Sequence, residues 1–265
     1  MTQPPYRRYV ALGDSTTEGL QDPYLDRPGF RGWADRLAEQ IDAAHPGLLY
    51  ANLAIRGRKI GQIRAEQLEP ALAMQPDLAS VAGGINDILR PKVDLDAIVG
   101  EMRTMVARLS AGGATVLMLT YLDPAKVMRM ARGASPRVCA YNQALRTIAR
   151  DHDARLADFE RDGVADPRLW DADRLHANSE GHRRIAAAAA HALELPGADA
   201  SWRQPMTPAP ASPRRIAAAR DVRWAATHLA PWITRRIRGR SSGDNITAKR
   251  PELALVTEGG GSRGP

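Results

Sequence analysis

The 265-residue sequence predicts an α/β protein, a three-layer α/β/α sandwich on a five-stranded parallel sheet, followed by a helical, basic C-terminal extension. Three observations lead there. Short apolar runs alternate with longer amphipathic segments, the first three of those runs end in turns rich in Gly, Asp and Asn, and charge divides unevenly along the chain. The apolar runs fall near 8–13, 48–54, 77–83, 114–120 and 154–158, and the helical patterns near 31–44, 60–74, 94–111, 137–152 and 179–193. Strict alternation of this kind calls for right-handed crossovers, which line the strands up in parallel and put helices on both faces. A hydrophobic content of 44% is enough to cover both faces of such a sheet.

The turns carry the chemistry. Tyr9-Val10-Ala11-Leu12 runs into Gly13-Asp14-Ser15 and the polar turn Thr16-Thr17-Glu18-Gly19. A serine there sits at the carboxyl end of the first strand, where open α/β sheets place their ligands and where a following helix N-terminus offers N–H groups to an anion. Taken alone, Gly, Asp and Ser also make an ordinary surface turn. A second apolar run ends in Asn52-Leu53-Ala54-Ile55-Arg56-Gly57, and a third, Leu78 to Ala82, ends in Gly83-Gly84-Ile85-Asn86-Asp87. Near the end of the alternating region, Asp173-Arg174-Leu175-His176 puts a carboxylate and an imidazole three residues apart, ahead of Ser179-Glu180-Gly181-His182 and an alanine-rich helix. Asp171 competes with Asp173 on position alone. His45, His152, His182, His191 and His228 read as structural.

In these four blocks, and in their order, the chain resembles the SGNH (GDSL-type) hydrolase family over about residues 8–195. The serine block matches Gly13-Asp14-Ser15, the glycine falls on Gly57, Gly84-Ile85-Asn86-Asp87 matches the asparagine block, and Asp173 to His176 matches the Asp-x-x-His block. Thr16 stands where the family often has an apolar residue, and Ala177 where proline is common; neither change removes a catalytic group. The resemblance implies a flavodoxin-like sandwich and an esterase with no cofactor or metal. It also implies a triad of Ser15, His176 and Asp173, with Asp173 favoured over Asp171 by the family's spacing, and an oxyanion hole of the Ser15 and Gly57 N–H groups and the Asn86 amide. Such chemistry suits these residue types. A serine hydroxyl needs a base within hydrogen-bond reach, histidine has the intrinsic pKa to take and return its proton, and a carboxylate stabilises the imidazolium. The expected substrates are short acyl or acetylated-carbohydrate esters. An acyltransferase using the same acyl-enzyme, or a non-catalytic scaffold acting through its basic tail, is the alternative.

Asp14, Arg90 and Tyr121 are the substrate-binding candidates, the last two because they lie on loops leaving strand ends on the same edge. The loop from Tyr121 to Pro136, with Met128 and Met130, reads equally well as a pocket wall or as a solvated segment. The lone Cys139 excludes an internal disulfide and falls in a helical pattern that suggests burial. No run of 18 apolar residues and no apolar leader occurs, so a cytoplasmic location is expected.

Residues 1–200 form the expected hydrolase domain, 201–240 a Pro-rich linker and basic helical extension, and 241–265 a disordered tail. The first 200 residues hold 25 Lys+Arg against 26 Asp+Glu, the last 65 hold 12 against 4, so the net charge of +7 comes from the extension. Ile216, Ala219, Val222, Ala226 and Leu229 make an apolar stripe over 214–230, with Trp224 and Trp232 as aromatic anchors. Packing of this helix on the core or on a second subunit is favoured over a peripheral membrane contact. Nucleic acid is disfavoured because no reading motif accompanies the charge. The oligomeric state is not legible.

Overall fold

The structure, a computed structural model, describes residues 6–127, 129–160, 165–208, 222–224, 226–227 and 242–256. In chain order its elements are β1 (Arg8–Gly13), α1 (Ser15–Glu18), α2 (Gly32–Ala44), β2 (Leu49–Asn52), α3 (Ile60–Ala73), β3 (Leu78–Ala82), α4 (Ile85–Ile88) and α5 (Leu95–Ala111). There follow β4 (Thr115–Leu119), α6 (Pro124–Val127), α7 (Ser135–Asp151), β5 (Arg155–Ala157), α8 (Ser179–Ala192) and β6 (Arg250–Leu255). The sheet order is β5-β4-β3-β1-β2-β6, with all pairs parallel except the last.

Side chains of the buried strands alternate between two cores, as the period of a strand dictates. Tyr9 and Ala11 face the layer of α2 and α8, where Trp33, Leu37, Ile41 and the alanines of α8 pack. Val10 and Leu12 face α3, α5 and α7, against Ile63, Leu68, Met105, Leu109, Tyr141 and Leu145. The run of alanines from Ala186 to Ala190 lets α8 approach the sheet closely, and α2 crosses beside it.

The sheet has six strands, one more than expected. β6 pairs antiparallel with β2, Leu49 opposite Leu255 and Tyr50 opposite Ala254, inside the stretch expected to be a disordered tail. Pro251 and Glu252 make this segment a poor central strand, but a sheet edge leaves one side of the strand unpaired and tolerates proline there. Lys249 anchors it. Its Nζ lies 2.8 Å from Asp35 Oδ1 and donates to the carbonyls of Phe30 at 3.0 Å and Arg31 at 2.8 Å. Asp35 is buried and also accepts from the hydroxyls of Tyr24 and Tyr50, at 2.5 and 2.7 Å. The Arg250 guanidinium stacks over Tyr50, 5.1 Å from the ring centre.

Two further expectations change. Cys139 is exposed on the outer side of α7 rather than buried. The segment after Tyr121 is ordered as α6 and a 3-10 turn before α7; Met128, and the side chain of Met130, fall outside the described residues. Most of the helix expected over 214–230, and Trp232, also lie outside them. No described helix is long and apolar enough to cross a membrane.

His182 on α8 joins the two ends of the domain as a neutral ring. Its Nδ1 accepts from the Trp33 N–H at 3.1 Å and its Nε2–H donates to the Leu20 carbonyl at 3.0 Å. Burial pulls its pKa down to about 4, against the opposing pull of the Leu20 hydrogen bond and the Asp22 charge. The unfolded chain protonates this ring near 6.5 while the folded protein holds it neutral, so stability falls as pH drops from 6.5 towards 4, by about 3 kcal/mol from this group. His182→Gln, which does not titrate, is expected to flatten that part of the stability–pH curve in urea unfolding; parallel curves for variant and wild type would contradict the assignment. Lys249→Met, which strips the buried Asp35 of its cation, is expected to cost about 3 kcal/mol in the same assay, and an unchanged midpoint would mean that β6 is not part of the folded unit.

Candidate active site

In a doubly wound sheet the ligand crevice opens where the strand order reverses. Here that point lies between β1 and β3, because the chain leaves β1 for β2 on one side and reaches β3 on the other. The turns after β1 and β3 therefore meet, and Ser15 and Asn86 stand on them.

Each turn is held by its own device. Gln67 of α3 clamps the end of β1, its Oε1 accepting from the Gly13 N–H at 2.8 Å and its Nε2–H donating to the Gly13 carbonyl at 2.9 Å. Asp14 caps α1, Oδ1 accepting from the Thr16 N–H at 3.0 Å, which leaves Ser15 as the first residue of that helix. The β2 turn is fixed to α1 by Glu18, which accepts from the Arg56 N–H at 2.7 Å and ion-pairs with the Arg56 guanidinium, next to Gly57. The β3 turn needs Gly84, whose φ is +97° and on which a Cβ would meet the Tyr141 hydroxyl at 2.6 Å. Both Tyr141 and Tyr121 donate their hydroxyls to the Gly83 carbonyl at 2.9 Å.

Asn86 reaches back from α4. Its Nδ2 donates to Asp14 Oδ2 at 3.1 Å and to the Arg58 carbonyl at 3.2 Å, so it touches the turns of both β1 and β2. Asp14 is wholly buried, and burial pushes its carboxyl up to about 6, against the downward pull of the Thr16 N–H and of the nearby His176.

The loop before α8 completes the cluster. His176 Nε2 lies 2.9 Å from Ser15 Oγ, and His176 Nδ1 lies 2.6 Å from Asp173 Oδ2. A ring protonated at Nδ1 satisfies both contacts, donating to Asp173 and accepting the Ser15 hydroxyl. Asp173 Oδ1 accepts the N–H groups of Leu175 and His176 at 2.9 and 3.0 Å, and Gln21 Nε2 reaches Oδ2 at 3.4 Å. Burial raises the Asp173 pKa, but the hydrogen bond and charge of His176 and the two backbone donors outweigh it and hold the carboxyl well below the usual range. Asp171 instead sits at the base of the loop, its N–H donating to the His176 carbonyl at 2.9 Å.

A mostly apolar hollow of about 150 Å³ opens beside this chain of groups, with Thr16, Ile85 and Leu175 at the serine end and Tyr121, Phe159 and Ile185 further along. Of the substrate-binding candidates only Tyr121 lines it. Asp14 faces inward, and Arg90 borders a different hollow with Lys59, Asp87 and Lys92 on the α3–α5 side. Arg90 thus borders a different hollow from the one beside Ser15, and the Asp14 carboxylate contacts Asn86. Gln67, Glu18 and Gln21 hold groups of the site and were not singled out for it in the sequence; of these, only Glu18 falls in the polar turn that follows the serine block.

The profile of the GDSL-like Lipase/Acylhydrolase family matches residues 11–184. No curated protein matches the chain. Among solved structures it is similar to the acetyl xylan esterase AlAXEase, at 19% identity and a TM-score of 0.58, over 70% of this chain and 99% of that one. It is also similar to LAE5, an alpha/beta hydrolase from the metagenome of Lake Arreo, Spain, at 23% identity and a TM-score of 0.60, over 71% and 95%. Axe2, an acetylxylan esterase from Geobacillus stearothermophilus, matches at 18% identity and a TM-score of 0.59, over 73% and 97%. At these identities the structures speak for the shared fold. The family profile runs from the strand that carries Ser15 through the loop of His176 into α8, and the chain belongs to the GDSL-like lipase/acylhydrolase family.

Proposed function

We propose that the protein hydrolyses carboxylic esters of short acyl chains through an acyl-Ser15 intermediate, with His176 as base and acid and Asp173 as its partner. The observation that carries this reading is the unbroken sequence of contacts from Asp173 Oδ2 to His176 at 2.6 Å and from His176 to Ser15 Oγ at 2.9 Å. Ser15 Oγ attacks the ester carbonyl as His176 Nε2 takes its proton. The imidazolium so formed is stabilised by Asp173, which stays ionised because its pKa is held low. Collapse of the tetrahedral intermediate expels the alcohol, which leaves with the proton from His176. A water molecule then repeats the sequence on the acyl-serine, giving the carboxylic acid and free Ser15.

The oxyanion is assigned to the N–H groups of Ser15 and Gly57 and to the Asn86 amide, which would share the proton now facing the Arg58 carbonyl. The acyl chain is assigned to the apolar hollow, with Tyr121 on its wall. A dry cavity of about 150 Å³ is large enough for a six-carbon ring, so an acyl chain of about four to six carbons fits better than acetate alone. Acetylated carbohydrates, the substrates named for two of the similar structures, make less use of that space.

Steady-state kinetics with p-nitrophenyl esters from acetate to decanoate test this directly. Activity per encounter, kcat/KM, is expected to peak at about four to six acyl carbons, and Ser15→Ala is expected to lower it at least 10³-fold. Turnover retained in Ser15→Ala would overturn the nucleophile, and a steady fall from acetate onward would overturn the assignment of the hollow. Asn86→Ala is expected to lower kcat by about 10²–10³-fold, the usual cost of one oxyanion donor; a change confined to KM would remove Asn86 from that role.

A further inference from the structure

We infer that Trp224, in the C-terminal extension, is a positioning residue for the Asp173–His176 loop, so that the extension completes the active site. This inference rests on the hydrolase reading above. The family profile ends at residue 184, so the extension lies beyond the region it matches.

Trp224 is buried, and its indole Nε1–H donates to the Asp173 carbonyl at 2.9 Å. The next residue, Arg174, has a φ of +57°, in the left-handed region that a side chain as large as arginine rarely adopts, and its guanidinium sits 5.2 Å from the centre of the Trp224 ring. The loop thus takes a sharp, unfavourable turn directly between the carboxylate and the imidazole it must aim. Within the loop, the Arg174 N–H donates to the Asp171 carbonyl at 2.9 Å, and the Asp173 carboxylate accepts from Leu175 and His176. Those bonds are all local. Trp224 grips the Asp173 peptide and the Arg174 side chain from 50 residues away in sequence, and so fixes the turn from outside. Its grip is independent of the sheet, whereas Lys249 and β6 secure the end of the extension at the far edge, beside β2.

A tryptophan that acts through the loop should affect turnover rather than folding, and should do nothing once the Asp173–His176 contact is already broken. Four full-length proteins distinguish these effects: wild type, Trp224→Phe, Asp173→Asn and the double variant. Phenylalanine keeps an aromatic ring beside Arg174 but removes the N–H together with part of the buried ring. We expect Trp224→Phe to lower kcat about tenfold, short of the ~10²-fold penalty for a 1 Å misplacement of a reacting group. KM should stay within twofold, the melting midpoint should fall by no more than a few degrees, and Trp224→Phe should make less than a twofold difference on top of Asp173→Asn. Wild-type kcat in Trp224→Phe, an equal loss in both backgrounds, or a collapsed melting midpoint would each overturn the positioning role. A wild type that neither turns over esters nor takes a fluorophosphonate label on Ser15 would overturn the hydrolase reading instead.

Discussion

Three turns at the carboxyl edge of a parallel sheet have to be held in register, and a small set of buried polar contacts does this. Gln67 grips Gly13, Glu18 grips Arg56, and the Asp14–Asn86 contact joins the turn of β1 to that of β3. Sheet topology brings the turns together at the switch point between β1 and β3, but strand ends alone leave loops free to move by more than a catalytic geometry tolerates. The side chains doing the holding are themselves buried or half-buried, so each hydrogen bond is strengthened by its surroundings and is costly to break. Ser15, Gly57 and Asn86 inherit their positions from that framework.

The imidazole comes from the other end of the domain. Its loop leads into α8, which is packed against α2 and fixed to the backbone of Leu20 and Trp33 by His182. Two histidines six residues apart thus have opposite settings. His182 is desolvated and kept neutral as a two-ended backbone connector, while His176 stands at the crevice with a carboxylate on one nitrogen and a hydroxyl on the other. A low pKa at Asp173 means that the carboxylate stays charged through the pH range in which an imidazole titrates, and this is the condition for stabilising an imidazolium during proton transfer. The hollow beside Ser15 adds apolar surface, which under the proposed function would take the acyl chain.

Much of this is legible in the sequence, for identifiable reasons. Five apolar runs of strand length predict β1 to β5 because buried parallel strands have no polar face to interrupt them. The serine, glycine, asparagine and histidine blocks stand out because turns restrict residue type. β6 escapes the same reading: Arg250-Pro251-Glu252 opens it, and only the edge position beside β2, with Lys249 reaching Asp35, makes such a segment a strand. Arg90 is a candidate because its loop leaves a strand end on the same edge, yet it borders a separate hollow with Lys59, Asp87 and Lys92. Asp14 is a substrate-binding candidate in the sequence, but it caps α1, contacts Asn86 and is wholly buried. Gln67 carries no local signal, and Trp224 reads only as an aromatic anchor of the extension, since their long-range contacts exist only once distant segments have met.

The proposed chemistry requires that Ser15 become covalently acylated during ester cleavage. Acid-quenching the full-length protein within milliseconds of mixing with excess p-nitrophenyl butanoate, followed by intact-mass and peptide mass spectrometry, tests it most directly. A butanoyl adduct is expected on the peptide containing Ser15, absent from Ser15→Ala and accumulating in His176→Ala no faster than the uncatalysed background. An adduct on another residue, or steady turnover with no adduct at any quench time even when hydroxylamine-sensitive species are trapped at low pH, would contradict it.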